Sequence, residues 1–176
     1  MTPTLRSLNA PGDERRAVLM AITLRTFADS DLDALFTWES DPRAVQMAAF
    51  TRANPSDRSA FDAHYERVRS DPSNTLLAID DDRDFVGTVG SFTMEGKREV
   101  TYWIAPARWG QGLASRALRA FLAIESTRPL YGRVASHNAA SAKVLARAGF
   151  VEVGSETSFA SGVGAEVVER IYRLDR

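Results

Sequence analysis

The sequence predicts a single α/β (α+β) domain, a central mixed β-sheet with helices on both faces, in the order β-α-α-β-β-β-α-β-α-β-β. Three observations carry this. The chain has 176 residues, enough to bury one sizeable core. Its apolar pattern switches repeatedly between a period of two and a period near 3.6, the strand and helix signatures. Neither an internal repeat nor a low-complexity linker divides it.

Taken in order, residues 1–19 show no clean period and carry Pro11-Gly12, so they read as an irregular N-terminal arm before a domain spanning 20–176, with Met20 as an alternative start. Ile22 to Phe27 alternates apolar and polar, as a half-buried strand does. Ser30-Asp31-Leu32-Asp33 has capping-box spacing and opens a helix with Leu32, Leu35 and Phe36 on one face, ended by Asp41-Pro42. A second helix runs from about Asp57 to Arg69, with Phe61, Tyr65 and Val68 as its apolar stripe, and closes at Asp71-Pro72. Thr75 to Ile79 and Phe85 to Met94 are strands joined at Asp80-Asp81-Asp82-Arg83. That acidic turn lacks the ligand spacing of an EF-hand and reads as an exposed hairpin tip. Glu95-Gly96-Lys97 turns into a strand from Glu99 to Ile104. Leu113 to Glu125 is an amphipathic helix with Leu113, Ala117, Leu118, Phe121 and Leu122 inward. Leu130 to Ala135 is a strand, Ala139 to Ala148 a helix stopped by Gly149, and Phe150 to Val153 and Val167 to Leu174 are the last strands.

Composition narrows the chemistry. Twenty-two basic residues against 23 acidic ones give no nucleic-acid-coating surface. The absence of cysteine removes disulfides, thiolate zinc sites and a cysteine nucleophile. Two histidines, His64 and His137, are too few for a multi-histidine metal centre, so no metal is expected. No apolar run approaches the roughly 20 residues that span a bilayer, and the N-terminus lacks the order of a secretory signal. A soluble cytoplasmic protein is the expectation.

Two segments stand out. Trp109-Gly110-Gln111-Gly112-Leu113-Ala114 lies between a strand and a helix. Glycines there permit close approach of a ligand to the backbone, and the first amides of the helix are unpaired at the positive end of its dipole. Together these suit a pyrophosphate. A tight turn with no ligand uses the same residues, and the glycine spacing is not that of the dinucleotide fingerprint. The second segment is Asn138-Ala139-Ala140-Ser141, continuing through Val144-Leu145 to Gly149-Phe150. Asn138 is a good N-cap and Gly149 a good C-terminal stop, which alone explains both.

The two segments together resemble the GNAT acetyltransferases. Glu99-Val100-Thr101-Tyr102-Trp103-Ile104 through Trp109-Gly110-Gln111-Gly112-Leu113-Ala114 is similar to their acetyl-CoA-binding motif, and Asn138 to Phe150 to the motif that follows. Trp109 before Gly110, and Val144-Leu145 before Gly149-Phe150, are similar to the RimJ/RimL-like branch. The resemblance is sharp over residues 97–153 and leaves residues 1–19 uncovered. It implies a GNAT-like fold with acetyl-CoA as acetyl donor. The backbone of Trp109 to Ser115 (Trp109, Gly110, Gln111, Gly112, Leu113, Ala114, Ser115) would hold the pyrophosphate. The pantetheine arm would lie where the strand Glu99–Ile104 splays from Leu130–Ala135. An amide near Trp103 or Ile104 would polarise the acetyl carbonyl, and Asn138 would bond the pantetheine arm. The family motif carries Arg or Gln where Trp109 stands, so Arg108 is the candidate charge for the cofactor. Leu145 stands where many relatives have a tyrosine acid, so Ser141 is the candidate proton donor to the leaving thiolate.

Direct transfer needs a neutral amine. An α-amino group titrates near 7.7–8 and lysine near 10.4, so deprotonating lysine at neutral pH costs roughly three to four kcal/mol more. Glu99, where relatives often carry a base, is the candidate general base, with Glu39 and Glu66 as alternatives. His137 is expected to be structural or on the cofactor side. The expected reaction is acetyl transfer to a primary amine, a peptide or protein N-terminus first, an antibiotic or polyamine second. The alternative of another class is a non-catalytic acyl-CoA-binding module. No nucleic-acid or membrane partner is expected, and the resemblance implies a homodimer.

Overall fold

In the computed structural model the described residues are 22–82 and 84–176; the arm read at 1–19 and Met20 lie outside them. Strand β1 is Ile22–Thr26, and a single 3-10 turn at Asp29–Asp31 leads into helix α1, Leu32–Glu39. Helices α2 (Pro42–Ala48) and α3 (Arg58–Ser70) follow, then strands β2 (Thr75–Asp81), β3 (Asp84–Met94) and β4 (Lys97–Ile104). Helix α4 is Leu113–Leu122, β5 is Leu130–Ala135, α5 is Ala139–Arg147, and β6 (Val151–Ala160) and β7 (Ala165–Leu174) close the chain. The predicted order holds, with one short helix added.

That helix is α2. Asp41-Pro42 ends α1, and it also begins the next helix: the Asp41 carboxylate accepts the Arg43 N–H at 2.9 Å and Pro42 takes the first helical position. Ser30 is not the cap of α1. Asp31 instead reaches back to the Ala28 N–H at 2.8 Å and is held by Arg25. Strand β6 runs past Val153, where the sequence reading stopped. Its residues 151–159 are all exposed, so no apolar alternation marked them, and pairing with β7 satisfies the backbone instead.

The seven strands form one sheet ordered β1-β2-β3-β4-β5-β7-β6. All neighbours are antiparallel except β4 and β5. Helices α4 and α5 cover one face. There Ile79, Val89, Val100, Leu118, Phe121, Leu130 and Leu145 form the main core. On the other face α1 and α3 bury Phe27, Leu35, Phe61 and Tyr65, with Trp103 packed against them. Beyond the end of α4, the buried Glu125 carboxylate receives Ser91 Oγ at 2.6 Å, Arg98 Nε at 2.9 Å and the Thr127 N–H at 2.8 Å. Burial pushes this carboxyl up, but those donors outweigh it and hold it down at about 2.

Of the turn expected at residues 80–83, Arg83 lies outside the described residues. Asp80 and Asp81 belong to β2 and anchor Arg25 and Arg108, and Asp81 is buried.

Candidate functional site

The parallel ladder between β4 and β5 is short. Only Arg98 with Leu130 and Glu99 with Tyr131 are in register, and beyond Glu99 the strands part. The open edge of β4 follows from parity. Ala105 donates its N–H to Val86 at 2.9 Å, and bonding alternates along the antiparallel β3–β4 pair. Trp103 therefore turns its N–H to β3, whereas Tyr102 and Ile104 turn theirs to the gap. Of the two expected carbonyl-polarising amides, Ile104 is the one that faces the gap. Trp103 is corrected to a packing residue, its ring against the α1–α3 cluster.

The loop after β4 is pinned at both ends. Trp109 Nε1 donates to the Ile104 carbonyl at 2.9 Å, folding the loop back on its strand. Arg108 bonds Asp81 through Nη2 and Gln111 Oε1 through Nε at 3.0 Å. Its charge is thus used within the protein. The expectation that Arg108 supplies charge to the cofactor gives way to a role in fixing the loop, and Gln111 serves the same brace.

Gly110 and Gly112 have φ of +78° and +73°, and a Cβ built on either meets no atom within 4 Å. Such a backbone favours glycine, and the space above it is open. Helix α4 starts at Leu113 with no side-chain cap, and Arg116 makes the first bond back to Gly112 O. The amides of Leu113, Ala114 and Ser115 are thus left without intrahelical acceptors. The Leu113 side chain itself is core. Glycine surfaces opening on free space beside uncapped amides fit a diphosphate, and the parted strands fit an extended arm bonded to Tyr102 and Ile104.

Helix α5 borders the far side of the gap. Asn138 caps it, accepting the Ser141 N–H at 3.0 Å, while its Nδ2 donates to Met47 O at 3.2 Å. His137 Nε2 lies 2.8 Å from Gln46 O. Together they tie α2 to the start of α5. Ser141 Oγ lies 2.7 Å from the Tyr102 hydroxyl.

Glu99 and Ser141 bracket the gap from opposite faces. Glu99 shares the Trp103 face, toward α1–α3, because residues four apart on a strand point the same way. Ser141 sits on α5, across the sheet. Glu99 is buried, and its Oε1 accepts Arg133 Nε at 3.0 Å. The same guanidinium reaches Glu156 at 2.9 Å and Glu169 at 3.2 Å. Glu169 is pushed up, chiefly by burial, with Arg133 opposing and Glu99 and Glu156 adding to it. Neither alternative base approaches this geometry. Glu39 is consumed by Arg52 and Tyr65 inside the α1–α3 layer, and Glu66 is exposed on α3.

Tyr102, Arg133 and Glu169 were not singled out in the sequence. For Arg133 a signal existed: a cation within the short apolar strand Leu130–Ala135 implies a buried counter-charge. Tyr102 hid among core residues at alternating positions.

A family model described as "Acetyltransferase (GNAT) domain" matches residues 21–151. No curated protein matches by sequence. Among solved structures, the chain is similar to spermidine N-acetyltransferase from Vibrio cholerae, crystallised with CoA and spermine (20% identity, 86% of this chain and 94% of that one, TM-score 0.72). It is similar to Mycobacterium smegmatis RimJ in complex with CoA-disulfide (20% identity, 89% and 83%, TM-score 0.72). It also resembles RimL, a ribosomal alpha-N-protein acetyltransferase in complex with coenzyme A (18% identity, 88% and 94%, TM-score 0.70). At these identities the likeness is one of fold. The family match, the parted strands and the glycine loop agree: the chain belongs to the GNAT superfamily and is an acetyl-CoA-dependent N-acetyltransferase.

Proposed function

We propose that the enzyme acetylates the α-amino group of a peptide or protein N-terminus by direct attack, with Glu99 as base and Ser141 as proton donor to sulfur. The observation that carries this is the placement of Glu99 and Ser141 on opposite faces of the β4–β5 gap. When bound, acetyl-CoA supplies an acetyl thioester. The amides of Leu113 to Ser115 and the backbone of Gly110 and Gly112 would hold the diphosphate, and the Ile104 N–H would bond the carbonyl. The amine enters from the Glu99 face. As the C–N bond forms, its proton passes to Glu99, directly or through water. As the C–S bond breaks, Ser141 gives a proton to sulfur and regains one from water. Arg133 holds Glu99 in place and also reaches Glu156 and Glu169.

Acceptor choice follows from amine chemistry. An α-amine is about half neutral near pH 8 and asks little of its base, whereas a lysine or polyamine amine must first shed a tightly held proton. RimL is an alpha-N-protein acetyltransferase, which supports this acceptor, and the spermidine enzyme supports the competing polyamine acceptor. Glu169 offers a second base, favoured by its upward shift. The setting we propose is the cytoplasm; no helix among the described residues is long and apolar enough to cross a membrane. The assembly we propose is a homodimer through β6, an edge strand exposed over residues 151–159 and carrying Val151, Val153 and Phe159 outward; sedimentation tests it.

The functional test is thiol release from acetyl-CoA with N-terminal peptides, polyamines and aminoglycosides, products read by mass spectrometry. Acetylated peptide α-amines are expected. Faster turnover of polyamines or aminoglycosides overturns the acceptor, and tight cofactor binding with no acetylated amine points to a binding module.

A further inference from the structure

The Tyr102 hydroxyl crosses from β4 to the first turn of α5, 2.7 Å from Ser141 Oγ and 3.3 Å from the Ser141 carbonyl oxygen. Either hydroxyl can donate across the shorter contact, and the surroundings decide which. Burial pushes the phenol up to about 12, the Ser141 contact opposing and Tyr172 adding slightly. It therefore keeps its proton at every physiological pH. The hydroxyl is half-buried, and the protein acceptors in reach of its proton both belong to Ser141. The shorter contact, to Oγ, is the better one. The Ser141 backbone is fixed independently, its N–H held by Asn138 at 3.0 Å. With Oγ accepting from Tyr102, the Ser141 hydrogen turns away from the phenol. Leu145, one turn further along α5, is buried against the main core and offers no hydroxyl.

From this geometry we infer that Tyr102 is a positioning residue for the leaving sulfur: by donating to Ser141 Oγ it aims the Ser141 hydrogen into the β4–β5 gap. The inference rests on the reading of Ser141 given above. The Tyr102 proton does not leave. Sulfur takes the Ser141 hydrogen as the C–S bond breaks, and Ser141 regains one from water while Tyr102 holds its oxygen in place.

The test compares Tyr102→Phe, Ser141→Ala and the double variant in the full-length chain, by turnover and by calorimetric affinity for coenzyme A and for desulfo-coenzyme A, which lacks the sulfur. Tyr102→Phe is expected to lower kcat about tenfold, the worth of one well-placed hydrogen bond, with KM for acetyl-CoA unchanged. The affinity increment due to sulfur shrinks in Tyr102→Phe as it does in Ser141→Ala. The double variant is no worse than Ser141→Ala, because both act through one hydroxyl. Additive losses, or equal loss of affinity for both coenzymes in Tyr102→Phe, would show a packing role and overturn the inference. An unchanged Tyr102→Phe beside an impaired Ser141→Ala overturns Tyr102 alone. A fully active Ser141→Ala with an intact sulfur increment removes the Ser141 reading, and Tyr102 with it. If no amine is acetylated, the sulfur increment decides.

Discussion

Two glycines in this protein form a natural matched pair. Gly112 opens α4 at φ +73° and Gly96 turns β3 into β4 at φ +76°; a Cβ added to either meets nothing within 4 Å. Gly112→Ala and Gly96→Ala therefore carry the same cost in the free protein, the left-handed strain of an L-residue, about 1–2 kcal/mol. For a chain of this size that is a fall in melting temperature of about 2–8 °C for each. Their responses to ligand should differ. At a hundredfold excess over Kd, acetyl-CoA stabilises the native state by about 2.7 kcal/mol, an upward shift of about 5–11 °C. Gly96→Ala keeps that shift. In Gly112→Ala the new methyl group stands in the space assigned to the diphosphate. A hundredfold loss of affinity leaves about 0.4 kcal/mol at the same concentration, under about 2 °C. Differential scanning fluorimetry with and without acetyl-CoA measures all four numbers. Equal ligand shifts in the two variants would show that the loop is only a turn and refute its assignment as the diphosphate site.

Glu99→Gln should lower turnover about 10²–10⁴-fold, the usual contribution of a general base, with calorimetric affinity for acetyl-CoA retained; unchanged turnover moves the role to Glu169. The Glu125 carboxyl, held at about 2 against an ordinary 4.5, gives stability that is fully present above about pH 4.5 and lost as pH falls toward 2. Its worth is about 3 kcal/mol, so denaturant midpoints should fall over that window, and Glu125→Gln should flatten the fall. Gly162→Ala would drive a methyl group to 2.5 Å from Val45 O and 2.8 Å from Ala49 O, both backbone atoms. A loss of about 1–3 kcal/mol is expected, measured by urea unfolding; wild-type stability would mean the β6–β7 turn moves freely off α2.

Local physics made much of this protein readable from its sequence. Period, caps and breakers located α3, α4 and α5 and most strands, because each depends on neighbours within a few residues. The glycine loop and the Asn138 cap were equally local. Other features needed the chain folded. Asp41-Pro42 ends α1 and, by the Asp41 cap and Pro42 at the first position, also starts α2, but only the fold ties the far end of α2 to His137 and Asn138. Strand β6 carries no apolar code because its order comes from β7. The pairing of Glu99 with Arg133 spans 34 residues and that of Tyr102 with Ser141 spans 39. Neither separation leaves a periodic trace, since side chains from different strands and helices meet only once the sheet sets their faces. Sequence thus determined the backbone of the glycine loop proposed to receive acetyl-CoA, through conformational preferences acting over a few residues. Tertiary structure decided which charges are free to act, since a half-buried cation such as Arg108 or Arg133 takes its partner from wherever the fold brings one.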